Sequence, residues 1–167
     1  MDAGVMAAVS FYDVVLWLHV SAVVVGFGST FAYGVLIAFV QRSHPRAMPG
    51  LLAAIQANDR SLVTIGGVLV LLTGLYLAAE QWGFTPVFVG WGIVAVIVLL
   101  GLTHAFFIPN ERRAQAAAER DIETAGAGEV EFGDDFNRTG RRLNIMGPIT
   151  GLIIVLTVYV MVAKPFL

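Results

Sequence analysis

The chain of 167 residues contains no cysteine, so disulfides, thiolate metal sites and thiol catalysis are all excluded. Charged residues are scarce as well: they make up 13% of the chain, against about a quarter in soluble domains. The net charge of −2 gives no reason to expect nucleic acid as a partner. The sequence also lacks a nucleotide-binding loop, an HExxH pair and a recognisable Ser/His/Asp arrangement, so it assigns no catalytic residue.

Long apolar runs are what the chain has instead. Apolar residues make up 57% of the sequence, and the mean hydropathy is +0.80. A membrane-spanning helix needs about 20 apolar residues to cover ~30 Å of hydrocarbon. The sequence therefore predicts an all-α polytopic membrane protein: a single domain, 1–167, folded as a four-helix transmembrane bundle in a lipid bilayer. The predicted spans are about 12–40, 62–80, 87–108 and 143–163.

Basic residues are distributed unevenly between the segments that join these spans. They concentrate in 41–61 and 109–142, whereas 1–11 and 81–86 contain none. Loops rich in Lys and Arg stay on the cytoplasmic side. We therefore expect 41–61 and 109–142 to be cytoplasmic loops and both termini to lie outside. The aromatic residues Trp17, Trp82 and Trp91 agree, since they fall near the predicted outer interface.

The two predicted cytoplasmic segments differ in character. Residues 48–60 are mildly amphipathic, and they either lie along the inner interface or extend the second helix. Residues 109–142 begin with Pro109 and a polar helical stretch, 110–123, and are read as a solvated hairpin, with a partner-docking loop as the alternative. Pro148 is placed in the first turns of the fourth helix, where its missing N–H costs little.

Small residues recur at every fourth position of the first helix, and Gly74 lies beside Thr73 in the second. Such a face lets two helix backbones approach closely in lipid, and Thr73 can hydrogen-bond across helices. We expect packing within the chain, with a homodimer through these faces as the alternative. The predicted packing residues are Ala22, Gly26, Thr30, Gly34 and Gly74.

Two histidines, His19 and His104, lie within the spans, where titratable side chains are functional candidates. His19 is expected in the outer half at the level of Met161, and His104 in the inner half at the level of Met146. The helix rise separates the two histidines by roughly 15 Å or more, so they should not share one haem iron. Each histidine remains a candidate haem ligand, alone or with the methionine at its level, Met161 or Met146, or simply hydrogen-bonds a neighbour. His19 is also the candidate metal ligand.

Charged residues mark both predicted rims of the bundle. Asp13, Glu80 and Lys164 belong to the outer rim, where they cap helices and snorkel, or take part in proton or cation entry above His19. Asp59 and Arg60 belong to the inner rim, where they are expected to anchor anionic headgroups.

Several short motifs resemble a known family. Leu16-Trp17-Leu18-His19-Val20 is followed by Gly26-Phe27-Gly28, then Asp59-Arg60, Leu72-Thr73-Gly74-Leu75 and Met161-Val162-Ala163-Lys164-Pro165. In this order they resemble domain of unknown function family 2269, predicted integral membrane proteins of prokaryotes. The resemblance implies a multi-pass protein of the cytoplasmic cell membrane.

The first-helix histidine pattern is also similar to that of a broader four-helix group, which includes copper-resistance proteins of the CopD type and the haem-binding oxidase HemJ. By that resemblance, a haem-binding role would fall on His19. Basic residues matter within the membrane part of HemJ, and this chain has no Lys or Arg deep inside a span. Oxidase activity is therefore not expected to accompany haem binding.

Three functions follow from these observations. The first is binding of haem b or a metal ion through His19, with a role in electron transfer or metal handling. The second is a small channel or transporter, which would have to be oligomeric because four helices lack the inverted repeats of secondary transporters. The third is a non-catalytic accessory subunit that docks a partner through 109–142.

Overall fold

Four long helices make up the computed structural model, which describes residues 9–165. We call them α1 (Phe11–Ser43), α2 (Pro45–Trp82), α3 (Val87–Ala125) and α4 (Asp134–Ala163). By length and composition, all four can cross a membrane. The predicted all-α, four-helix membrane architecture is therefore confirmed.

Local sequence signals define the helix ends. The Ser10 side chain accepts the backbone N–H of Asp13, whose carboxylate accepts the N–H of Ser10, and this reciprocal pair caps the start of α1. At the ends of α2 and α3 the chain reverses at Gly83 (φ 70°) and Gly126 (φ 55°). Both angles lie in the left-handed region, which glycine adopts without a steric penalty.

The helices continue well beyond the apolar runs. Residues 48–58 are helical and lead directly into the apolar part of α2, so this segment extends the second helix. The segment predicted as a long hairpin is mostly helical too: α3 reaches Ala125 and α4 already begins at Asp134. One hydrophobic core lies around Ala22 and Phe27, between the apolar parts of the helices. A separate cluster, which we call the second core, holds the extensions together and consists of Met48, Leu52, Ala114, Ala117, Ala118 and Phe136.

The placement of Pro148 in the first turns of the fourth helix was wrong. Because α4 begins at Asp134, Pro148 lies in the helix interior. A proline there cannot donate to the carbonyl four residues earlier, which is that of Asn144. The polar first turns of α4 gave no hydropathy signal, and this is why the helix was predicted to begin too late.

The small-residue face of α1 has two different environments. Near its middle, the backbones of α1 and α2 touch: a Cβ added to Gly66 would lie 2.6 Å from the Cα of Gly26. Ala22 is buried in the same interface. Thr30 is half-buried, with its hydroxyl donating to the carbonyl of Phe27. Gly34 is exposed, and a Cβ there would meet no atom within 4 Å. Packing within the chain therefore uses only the first half of the predicted face.

Candidate functional site

His19 of α1 reaches across to α2. Its Nδ1 lies 2.8 Å from Oγ1 of Thr73, which is itself buried. The next residue, Gly74, leaves room for the imidazole: a Cβ there would lie 3.1 Å from Cε1 of His19. The expected hydrogen bond across helices by Thr73 is therefore formed, and its partner is His19.

The hydroxyl of Thr73 fixes which nitrogen of His19 carries the proton. That hydroxyl donates to the backbone carbonyl of Leu69, one turn earlier on α2. With its only proton engaged, the oxygen accepts from His19, so Nδ1 of the neutral ring is protonated. Nε2 then carries the lone pair. A hydrogen bond at one imidazole nitrogen that sets the role of the other is the arrangement found around histidine ligands.

The methionines predicted at the levels of the two histidines have their own surroundings. Met161 packs closely against Gly92 of α3 and borders a small core of Ala78, Phe88 and Val89. Met146 is half-buried on α4. His19 instead contacts Thr73 and Gly74 of α2.

His104 of α3 belongs to a separate site. Its Nε2 lies 3.1 Å from Oγ1 of Thr64 on α2. Thr64 and Thr73 are nine residues apart, so their positions on α2 differ by about 13 Å in height. The two histidines therefore lie at different levels, although the separation is slightly smaller than the predicted value of roughly 15 Å or more. Within residues 9–165, no three or more His, Cys, Asp or Glu side chains group as a metal site would require.

Around Asp59, three helices contribute to one hydrogen-bonded network, which we call the Asp59 cluster. Asp59 is only 4% exposed, and its Oδ1 accepts from the hydroxyl of Tyr33 at 2.8 Å. The amide of Asn58 donates both to that hydroxyl and to Oγ of Ser29. The cluster consists of Ser29 and Tyr33 from α1, Asn58, Asp59 and Thr64 from α2, and His104 from α3.

Two widened helical turns shape this cluster. Residues Asp59–Val63 of α2 and Thr103–Phe107 of α3 are both π-helical, and such turns are frequent at functional sites. Thr64 directly follows the π-helical turn of α2, and its hydroxyl donates to the carbonyl of Asp59 at 2.7 Å. Since that proton is engaged, the Thr64 oxygen accepts from Nε2–H of His104.

Asn110 and Glu111 lie in the polar continuation of α3, just beyond the apolar run that ends at Ile108. Glu111 is 3% exposed, and its Oε2 is buried with no hydrogen-bond partner among the described residues. Asn110 donates to the carbonyl of Phe106 at 2.7 Å, whereas its buried Oδ1 accepts nothing in the same part of the chain. Sequence analysis singled out neither residue.

A periodic signal for Glu111 was nevertheless available. Ala114 and Ala118 follow it at the i+3 and i+7 positions, which share one helix face. Both alanines are buried in the second core. Tyr33 had no comparable signal, because an aromatic residue in an apolar helix is ordinary and its acidic partner lies 26 residues away.

The predicted rim charges do not come together as one site. Asp13 forms the cap of α1, and the ammonium of Lys164 lies 4.0 Å from the ring centroid of Trp82. Glu80 is exposed in the last, π-helical turn of α2, and Arg60 is exposed next to Asp59. Over residues 9–165, Lys164 makes no ion pair with either acidic residue of the outer rim.

Comparison with known proteins identifies the family. A family model described as "Predicted integral membrane protein (DUF2269)" matches residues 13–165. The chain belongs to this family. Neither the curated proteins nor the solved structures contain a match. Membership of the DUF2269 family confirms the resemblance carried by the motifs around His19 and Asp59, and it agrees with a multi-pass membrane protein.

Proposed function

We propose that this member of the DUF2269 family binds a b-type haem through Nε2 of His19 and takes part in electron transfer. The observation that carries the proposal is the hydrogen bond from Nδ1 of His19 to Thr73. It holds the neutral imidazole in one tautomer, with the lone pair on Nε2. An axial histidine in haem proteins needs such an oriented lone pair.

The surroundings of His19 favour haem over a bare metal ion. A porphyrin supplies four of the ligands of its iron, so one imidazole from the protein is sufficient. A bare ion needs several side chains, and the described residues form no such group. Bound haem would supply one-electron chemistry. Thr73 would orient the imidazole of His19, and Gly74 would leave space for that imidazole.

The exposed side of α1 near His19 suits a large apolar group. Leu16, one turn before His19 on the same face, and Val20, the residue after it, are exposed. These side chains offer an apolar surface beside a half-buried imidazole. A hydrophobic cofactor of the membrane is the kind of ligand that this combination fits.

The two other functions have less support from the contacts. A channel within one chain would need space between α1 and α2, whose backbones instead touch at Gly26 and Gly66. A channel or transporter would therefore require several copies. The accessory-subunit hypothesis relied on a loop at 109–142, most of which is helical and packed against α2.

Titration with ferric haem tests the proposal. Purified protein in mild detergent would be titrated with haem and the Soret band recorded for wild type and for His19→Ala. We expect saturable binding at one haem per chain in wild type and loss of that binding in the variant. His104→Ala is the matched control, because it removes the other membrane histidine. Equal binding by wild type and His19→Ala would refute the proposal.

A further inference from the structure

The second candidate site is the pair of buried carboxyl groups contributed by Asp59 and Glu111. Each residue is at least nine-tenths buried, and they come from different helices, α2 and α3. Each lies three residues beyond an apolar run, 62–80 or 87–108, and therefore outside the predicted spans. The pair is independent of His19, which bonds to Thr73, 14 residues and about 21 Å further along α2.

The two carboxyl groups have different hydrogen-bonding environments. Oδ1 of Asp59 accepts a hydrogen bond from the Tyr33 hydroxyl, and such a bond stabilises an ionised carboxylate. Oε2 of Glu111 is buried and receives no hydrogen bond from any residue in 9–165. An ionised carboxylate without donors is far more costly to bury than the neutral acid. Protonation of Glu111 removes that charge.

We propose that Asp59 and Glu111 form a proton-binding carboxyl pair in which Glu111 holds the proton at neutral pH while Asp59 stays ionised against Tyr33. Glu111 shares a face of α3 with His104, seven residues earlier, and His104 contacts Thr64, five residues after Asp59 on the antiparallel α2, so Glu111 and Asp59 lie at nearly the same level. Two neighbouring carboxyl groups do not both ionise readily. The pair would exchange its proton with the side of the membrane that receives the polar ends of α2 and α3.

The electrostatic surroundings support this division. Burial raises the pKa of Glu111 to about 8; the charge of Asp59 adds to the effect and Arg60 opposes it. Burial also raises the pKa of Asp59, but the hydrogen bond from Tyr33 and the proximity of His104 oppose that increase. The three arginines in the polar first turns of α4 are exposed: Arg138, Arg141 and Arg142.

The raised pKa of Glu111 determines how the stability of the fold should change with pH. A carboxyl group whose pKa is raised in the folded protein stabilises the fold most at pH values below its ordinary value of 4.5, and this stabilisation is lost as the pH rises to about 8. Glu111→Gln keeps the shape of the neutral acid and removes the titration. The variant should match wild type at about pH 4 and become progressively more thermostable than wild type as the pH rises from about 4.5 to about 8, the window set by that pKa shift. Above about pH 8 the difference should stay constant.

Infrared spectroscopy tests proton binding directly. Wild-type protein in detergent at neutral pH should show the C=O stretching band of a protonated carboxylic acid, and the band should disappear above pH 9, beyond the pKa of about 8. Glu111→Gln should lack this band. Glu123→Gln, which changes an exposed glutamate of the same helix, should retain it. Absence of the band in wild type, or its persistence in Glu111→Gln, would overturn the proposal.

A metal cation is the competing occupant, and the same protein distinguishes it. Thermal stability would be measured in sodium chloride and in choline chloride at equal ionic strength. Equal stability in the two salts supports a proton as the occupant. If sodium stabilises wild type but not Glu111→Gln, Glu111 is an ionised cation ligand and the proton proposal is wrong. The wild-type spectrum and salt comparison do not depend on the variants folding.

Discussion

Replacing Gly66 with alanine tests the contact that joins α1 to α2. The added Cβ would lie 2.6 Å from the Cα of Gly26 and 3.2 Å from the carbonyl oxygen of Ala22. All of these partners are backbone atoms, which cannot rotate away. Carbon atoms need about 3.5 Å or more between them, so the helices would have to separate by about 1 Å at this point. Overpacking of this kind costs roughly 1–3 kcal/mol.

The same structure predicts a graded series along α1. A Cβ on Gly26 would lie 3.0 Å from the Cα of Gly66, a smaller clash than the reverse substitution. A Cβ on Gly34 would meet no atom within 4 Å. Alanine is also the better helix former, by about 1 kcal/mol in exposed positions. We expect Gly66→Ala to be the least stable, Gly26→Ala to be intermediate, and Gly34→Ala to equal wild type or exceed it.

The assay is the fraction of monodisperse protein that survives heating in mild detergent, measured by size-exclusion chromatography. Gly34→Ala is the matched control, because it makes the same chemical change on the same small-residue face. If the three variants melted together, the α1–α2 packing described here would be wrong. A selective loss of stability in Gly34→Ala, accompanied by a change in oligomeric state, would instead indicate a homodimer through the exposed half of the face.

Three further predictions follow from the contacts. Thr73→Val removes the acceptor of the His19 hydrogen bond and should weaken haem binding by about 10- to 100-fold in the haem titration; unchanged affinity would contradict a role for Thr73 in orienting the ligand. Tyr33→Phe leaves buried Asp59 without a donor and should cost about 1–3 kcal/mol in stability, with a melting temperature equal to wild type counting against the cluster. Phe136→Ala should cost about 3–5 kcal/mol because Phe136 is buried in the second core. The control for this change is Arg120→Ala, which should not change the melting temperature because the ion pair of Arg120 with Asp135 (3.6 Å) is highly exposed. Similar losses of stability in Phe136→Ala and Arg120→Ala would refute the second core.

The apolar runs were sufficient to predict the four helices, because hydropathy directly reports which segments a bilayer accepts. They were not sufficient for the helix ends. A helical extension at 48–58 and a polar helical stretch at 110–123 could be anticipated from the sequence. Their packing against each other could not, because mean hydropathy does not show which polar segments share a core. This is also why Pro148 was placed too close to the start of α4.

The candidate sites were predictable to different degrees. His19 could be singled out because a titratable residue on a small-residue face is unusual, and Thr73 could be anticipated as a polar residue beside Gly74. The Asp59 cluster could not be assembled, because it depends on which helices are neighbours and on the register set by two π-helical turns. Glu111 looked like one more charge in a polar segment until its burial was known.

The absorbance spectrum of protein expressed with a haem precursor and purified in mild detergent tests the central claim most directly. It would be recorded before and after reduction with dithionite, for wild type, His19→Ala and His104→Ala. The account predicts a Soret band that shifts on reduction in wild type and in His104→Ala, and no such band in His19→Ala. A spectrum without haem in wild type, in protein that also fails to bind added haem, would contradict the claim.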